Sequence, residues 1–296
     1  MRYDPLQAYV APARTSAELW RTAAGALLTL VSGFALFQLC FAIGSNLFGP
    51  AATERFVDAT TFDPATPAAT LFTLATFGFF GLGLAMAVHG LHGRSPRTLF
   101  GPPRMALTDF LRVSLAVGLL LAVLGLLLPR DAELVVNPML GRRGWILLLP
   151  VSLIAILVQA STEELFFRGY LQQQLAARFP DTPLWMLAPA TLFGFAHLAP
   201  ASAGANAPYF VFWAVAFGMA AADLTARTGT IGAAIGLHAA NNAGAILFVA
   251  LAGPGSGLAL YHLPVAMDAD QIPLMMLPEL ATLFCCWLAA RLVLRV

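Results

Sequence analysis

From Thr22 to Thr53 this chain runs without a charged side chain, and comparable apolar runs recur to the C-terminus. Soluble domains seldom hold 18 or more such residues in a row, and about 20 suffice for a helix to cross the hydrocarbon core. Inside that core each backbone N–H and C=O has to be bonded within the chain, which a helix achieves. The expected fold is therefore all-α: a polytopic membrane protein of about eight transmembrane helices in one bundle. The spans are expected near 20–46, 69–91, 110–128, 145–165, 184–198, 208–226, 230–251 and 274–294. Residues 1–296 read as one membrane domain, with 199–207 as a loop of small residues.

Composition agrees: 59% of the 296 residues are hydrophobic and 10% are charged, too few charges to coat a soluble globule of this size. A net charge of +1 with no polybasic tail argues against nucleic acid as a partner. The first run is longer than the 7–15 residue core of a cleaved leader, so it is expected to persist as a span. Cys40, Cys285 and Cys286 lie in apolar stretches without a C-x-x-C spacing and read as small buried hydrophobes.

All the basic side chains are arginines, and their distribution gives an orientation. With the N-terminus in the cytoplasm, Arg2, Arg14, Arg21, Arg94, Arg97, Arg104, Arg112, Arg178, Arg227, Arg291 and Arg295 fall inside, against Arg55, Arg130, Arg142 and Arg143 outside. Both termini are expected inside, and the lysine-free composition points to a bacterial inner membrane.

Charge within a span is costly, on the order of 2.5–3.5 kcal/mol per group, so its position is informative. The fourth span ends in Ser161-Thr162-Glu163-Glu164-Leu165-Phe166-Phe167-Arg168-Gly169. Glu164 and Arg168, four residues apart, share a helix face and form an ion pair. Glu163 points about 100° away and stays available to a water molecule or a substrate, which makes it the candidate general base. In the fifth span Phe193 and His197 lie one turn apart. In the seventh, His238 and Asn242 share a face, with Asn241 off it, and Gly232, Gly236 and Ala240 form a ridge on another side for close helix packing. Counting about 1.5 Å per residue from the span ends puts Glu163 near the cytoplasmic third of its span, His238 about 12 Å below the cytoplasmic surface and His197 somewhat deeper, so that the three can meet in one cavity open to the cytoplasm.

Taken in order, Glu163-Glu164…Arg168, Phe193…His197 and His238…Asn242 resemble the E-E-x-x-x-R, F-x-x-x-H and H-x-x-x-N pattern of the CPBP family, the CAAX proteases and bacteriocin-processing enzymes. The likeness covers about residues 145–250. It implies an intramembrane endopeptidase of glutamate type, acting on a protein or peptide substrate that is membrane-anchored. In that scheme Glu163 activates a water with help from His197. His238 and Asn242 stabilise the oxyanion, and Glu164 with Arg168 orients the site.

Zinc is the alternative for two histidines and a glutamate, but H-E-x-x-H is absent and no cysteine or aspartate adjoins the motifs, so no metal or other cofactor is expected. His89, His92 and His262 read as interfacial residues near span ends, and Glu279 after Pro278 as the opening of the last helix. Two competing functions use the same residues: a transporter whose polar groups line a solute path, and a non-proteolytic protein that holds membrane partners.

Overall fold

The computed structural model describes residues 3–61, 65–127 and 133–296. Arg2, Arg130 and the expected turns at Pro64 and Pro129 lie outside the described residues.

Helix boundaries follow the local chemistry. Helix α1 (Asp4–Val10) runs into a 3₁₀ turn, Ala11–Ser16. The first span, α2 (Leu19–Phe48), stops at Gly49, whose φ of +86° few side chains tolerate, and the short α3 (Pro50–Thr61) follows. The next, α4 (Pro67–His92), is capped by Thr66, whose side chain accepts the Ala69 N–H at 3.2 Å, and ends at left-handed Gly93. After α5 (Pro103–Leu127), α6 (Gly141–Glu164) passes without a break into a π-helical stretch, Leu165–Gln172, and α7 (Gln173–Arg178), forming one 38-residue rod. Then come α8 (Leu184–Ala196), α9 (Pro200–Ala203), α10 (Ala207–Thr228), α11 (Gly232–Ala243) and α12 (Ile272–Leu294).

An all-α polytopic membrane protein is what these elements build. Six helical stretches are long and apolar enough to cross a bilayer: Leu19–Phe48, Pro67–His92, Pro103–Leu127, Gly141–Arg178, Pro200–Thr228 and Ile272–Leu294. The expected count of eight is not reached, because two of the apolar runs are not full-length helices. In α8 there are 13 residues and in α11 only 12, about 20 and 18 Å of helix, short of the ~30 Å hydrocarbon core. Beyond Ala243 the chain loosens into a π turn, Gly244–Phe248, and then strand β2 (Val249–Leu251). Strand β2 pairs in parallel with β3 (Tyr261–Leu263), and β3 pairs antiparallel with β1 (Val135–Val136), a small sheet that an all-helical reading omits. Two further expectations are corrected. Residues 200–206 are helical turns rather than loop, and the last helix opens at Ile272, leaving Pro278 and Glu279 inside it.

The bundle is centred on α10, half of whose apolar window is buried. It packs on α8, α11 and α12. Peripheral α2 and α5 instead turn Phe34, Leu47, Leu115 and Leu126 outward, as lipid-facing helices do. Small residues set the close contacts. A Cβ on Gly232 would fall 1.9 Å from the Ala106 carbonyl oxygen, and one on Gly236 2.8 Å from that of Phe110, so the expected glycine ridge lies against α5. Likewise Gly194 and Gly218 bring α8 and α10 together.

At one end of the bundle the N-terminal segment lies against the rod, burying Leu6, Tyr9, Val10 and Ala13. Three consecutive glutamines meet it and its neighbours. Gln172 donates to the Ala222 carbonyl (3.0 Å), Gln173 to those of Tyr9 (2.7 Å) and Thr98 (3.1 Å), and Gln174 to His92 Nδ1 (2.9 Å). His92 is thus buried and bonded on both ring nitrogens, its Nε2 to the Tyr170 hydroxyl at 2.9 Å, rather than interfacial. Nearby Arg94, which donates to Gln173, has its pKa lowered to about 10 because burial disfavours its charge.

Candidate active site

The end of α6 carries the carboxylates. Glu164 is fully buried and its Oε1 accepts from Arg168 Nη1 at 2.9 Å, the expected i, i+4 pair. The same oxygen lies 2.7 Å from His238 Nδ1 on α11. Glu164 therefore holds two partners, where the sequence offered only one. A carboxylate oxygen this close requires a hydrogen on Nδ1, so the opposite nitrogen, Nε2, is the one left to act.

Glu163 faces that nitrogen. Its Oε2 lies 3.7 Å from His238 Nε2, near enough for attraction and too far for a direct hydrogen bond. The oxygen is buried and has no hydrogen-bond partner among the described residues. A buried acceptor without a partner is uncommon and marks a place where a water or a substrate group belongs.

Aromatic rings frame the pair. Phe193 sits 4.5 Å from the His197 ring and 5.9 Å from the His238 ring, Phe217 approaches His238 at 5.0 Å, and Arg168 lies 4.7 Å over Phe193. The Arg168 guanidinium fits between α8 and α10 because position 218 has no side chain: a Cβ there would stand 3.1 Å from Arg168 Nη2. The π-helical stretch that carries Arg168 is itself a form found often at functional sites.

His197 follows the last residue of α8 and is exposed. Its Nδ1 donates to the Phe193 carbonyl at 2.8 Å, leaving Nε2 with a lone pair. It adjoins the Glu163–His238 pair through the shared Phe193 ring. Asn242 Nδ2 donates to Gln159 Oε1 at 2.8 Å. The structure thus draws Glu163, Glu164, Arg168 and His238 into one cluster, and sets Asn242 one turn along α11 and His197 across Phe193.

Gln159 is the participant that motif reading missed. A signal was present, since it is a lone amide in an apolar run, one turn before Glu163. Two hollows of the surface, about 380 Å³ between α10 and α12 and about 450 Å³ beside α2 and α4, have none of these residues in their walls. Among the described residues no three His, Cys, Asp or Glu side chains group so as to hold a metal ion.

A multispanning helical bundle with paired glutamates, an arginine and a histidine joined inside it defines a membrane protein with a buried ionic centre. Residues 145–244 match the model of the type II CAAX prenyl endopeptidase Rce1-like family, the family to which the three motifs point. Over 106 residues the chain is 37% identical to the uncharacterized protein YyaK of Bacillus subtilis, an alignment covering 36% of this chain and 35% of that protein. The chain thus matches about a third of the length of that relative. No solved structure matches.

Proposed function

We propose that this protein is an intramembrane endopeptidase that hydrolyses a peptide bond of a membrane-anchored protein or peptide near the cytoplasmic face, with both termini in the cytoplasm of a bacterium. The observation that carries the reading is the unpartnered Glu163 Oε2, buried and 3.7 Å from His238 Nε2.

Glu163 takes a proton from water as the water oxygen attacks the scissile carbonyl carbon. His197, with the lone pair of Nε2 free, orients that water. The carbonyl oxygen becomes an oxyanion, stabilised by a proton on His238 Nε2 and by the Asn242 amide, donors that count for more in a water-poor site. Collapse breaks the C–N bond, and the proton held by Glu163 passes to the leaving amine. Glu164 and Arg168 hold the His238 imidazole in place.

No metal ion enters this scheme. Cleavage is expected to persist in 1,10-phenanthroline, and a loss that added zinc restores would overturn that part. The main test is comparative membrane proteomics of cells carrying wild-type or Glu163→Ala protein. Juxtamembrane or C-terminal fragments that depend on Glu163 support the proposal, and identical fragment sets at equal expression reject it.

One observation favours a second reading: α8 and α11 are helices too short to cross the bilayer, and transporters use such partial helices for solute sites. Solute flux into proteoliposomes that His238→Ala abolishes would replace proteolysis with transport.

A further inference from the structure

Glu163 on α6 faces His238 on α11, and Gln159 on α6 bonds Asn242 on α11. Each helix contributes two residues one turn apart, 159 with 163 and 238 with 242, so the helices run antiparallel and meet in two rungs. The first rung carries the charges and the second joins two amides. Gln159 is buried, and nothing in the three-motif pattern calls for an amide at its position.

An asparagine side chain ends in a broad, roughly two-fold torsion, so on energetic grounds alone it presents oxygen or nitrogen to a neighbour with little preference. An oxyanion tolerates only the nitrogen. The NH₂ has two hydrogens, and a fixed acceptor for one determines where the other points. We propose that Gln159 is a positioning residue: by accepting one Asn242 hydrogen it fixes the amide plane and aims the second N–H towards the oxyanion beside His238 Nε2. This rests on the endopeptidase reading above and adds to it a residue that never touches the substrate.

The test uses the full chain in proteoliposomes with two internally quenched peptides, one ending in a farnesylated Cys-aliphatic-aliphatic-X sequence and one its unprenylated twin. In Gln159→Met, similar in size and without an acceptor, kcat is expected to fall about 10- to 100-fold, less than the 10²–10³ seen on deleting an oxyanion donor outright, with KM unchanged. Gln159→Glu, which keeps an acceptor oxygen, is expected to recover most of kcat. A role in stability alone would lower the amount of folded enzyme without this split and would not be rescued in this way.

An unchanged kcat in Gln159→Met beside an inactive Glu163→Ala overturns the inference and leaves the endopeptidase reading standing. Cleavage that persists in Glu163→Ala overturns both. A second measurement needs no cleavage: the Asn242 side-chain NH₂ signals in ¹⁵N-asparagine-labelled protein, assigned by their loss in Asn242→Ala. A bonded, inequivalent pair that becomes labile in Gln159→Met supports the inference, and signals unmoved by that change overturn it.

Discussion

The rod Gly141–Arg178 buries two polar clusters little more than a turn apart, at Glu163–Arg168 and at Gln172–Gln174, and they are built from different chemistry. The first is ionic. Glu164 sits between Arg168 and His238, while Glu163 Oε2, Glu164 Oε2 and two Arg168 nitrogens have no hydrogen-bond partner among the described residues. The second is made mainly of amides bonding carbonyls and an imidazole, and it ties the rod to the N-terminal segment, α4 and α10. Amide-to-carbonyl bonds give up little on leaving water and serve to join elements. Buried charges are expensive to leave partly satisfied; the second cluster holds one, Arg94 on Gln173, whereas the first gathers two carboxylates, a guanidinium and an imidazole, a concentration that points to chemistry rather than to assembly.

That contrast is open to test, beginning where the largest effect is expected. Arg168→Met leaves buried Glu164 with His238 as its one remaining partner and should cost about 3–5 kcal/mol of stability, seen as a lower unfolding temperature of the full chain in detergent. Removing both charges with Glu164→Gln and Arg168→Met should restore much of that stability while cleavage stays lost. An unchanged unfolding temperature in the single variant would mean that the ionic cluster is not held by this pair. Gln174→Leu removes one contact of His92 Nδ1, which still meets Ser16 Oγ at 2.9 Å, and should cost about 0.5–1.5 kcal/mol, yet leave kcat per folded molecule unaltered; a collapse in kcat would erase the distinction between the clusters. Trp145→Phe, which loses a 2.7 Å bond to the Leu247 carbonyl far from either cluster, should cost about 0.5–1.5 kcal/mol with no change in cleavage.

Much of the fold was legible because bilayer crossing is a matter of apolar length. The spans at 20–46, 69–91, 110–128 and 274–294 correspond to α2, α4, α5 and α12 within a few residues at most ends. The runs at 184–198 and 230–251 were equally apolar, yet their helices end early. In the second, pairing with β3 draws residues 249–251 into extended form. Hydropathy records how oily a run is and not whether protein, rather than lipid, satisfies its backbone. By sequence alone the run Gln172–Gln174 fits either a helix continuing into the cytoplasm or an amphipathic segment on the interface. Its helical continuation and complete burial come from partners as distant in sequence as Tyr9 and Ala222.

By itself the sequence determined membrane residence, the Glu164–Arg168 pair and the shared face of His238 and Asn242, since each depends on apolar length or on spacing within a single helix. Only the tertiary structure decided that Glu164 also takes His238, that Glu163 on α6 faces His238 on α11, and that Gln159 holds Asn242. Those contacts join different helices. Their rotation and separation are set by which small residues let backbones approach, as Gly232 and Gly236 do against α5, and that is a property of neighbours rather than of a motif.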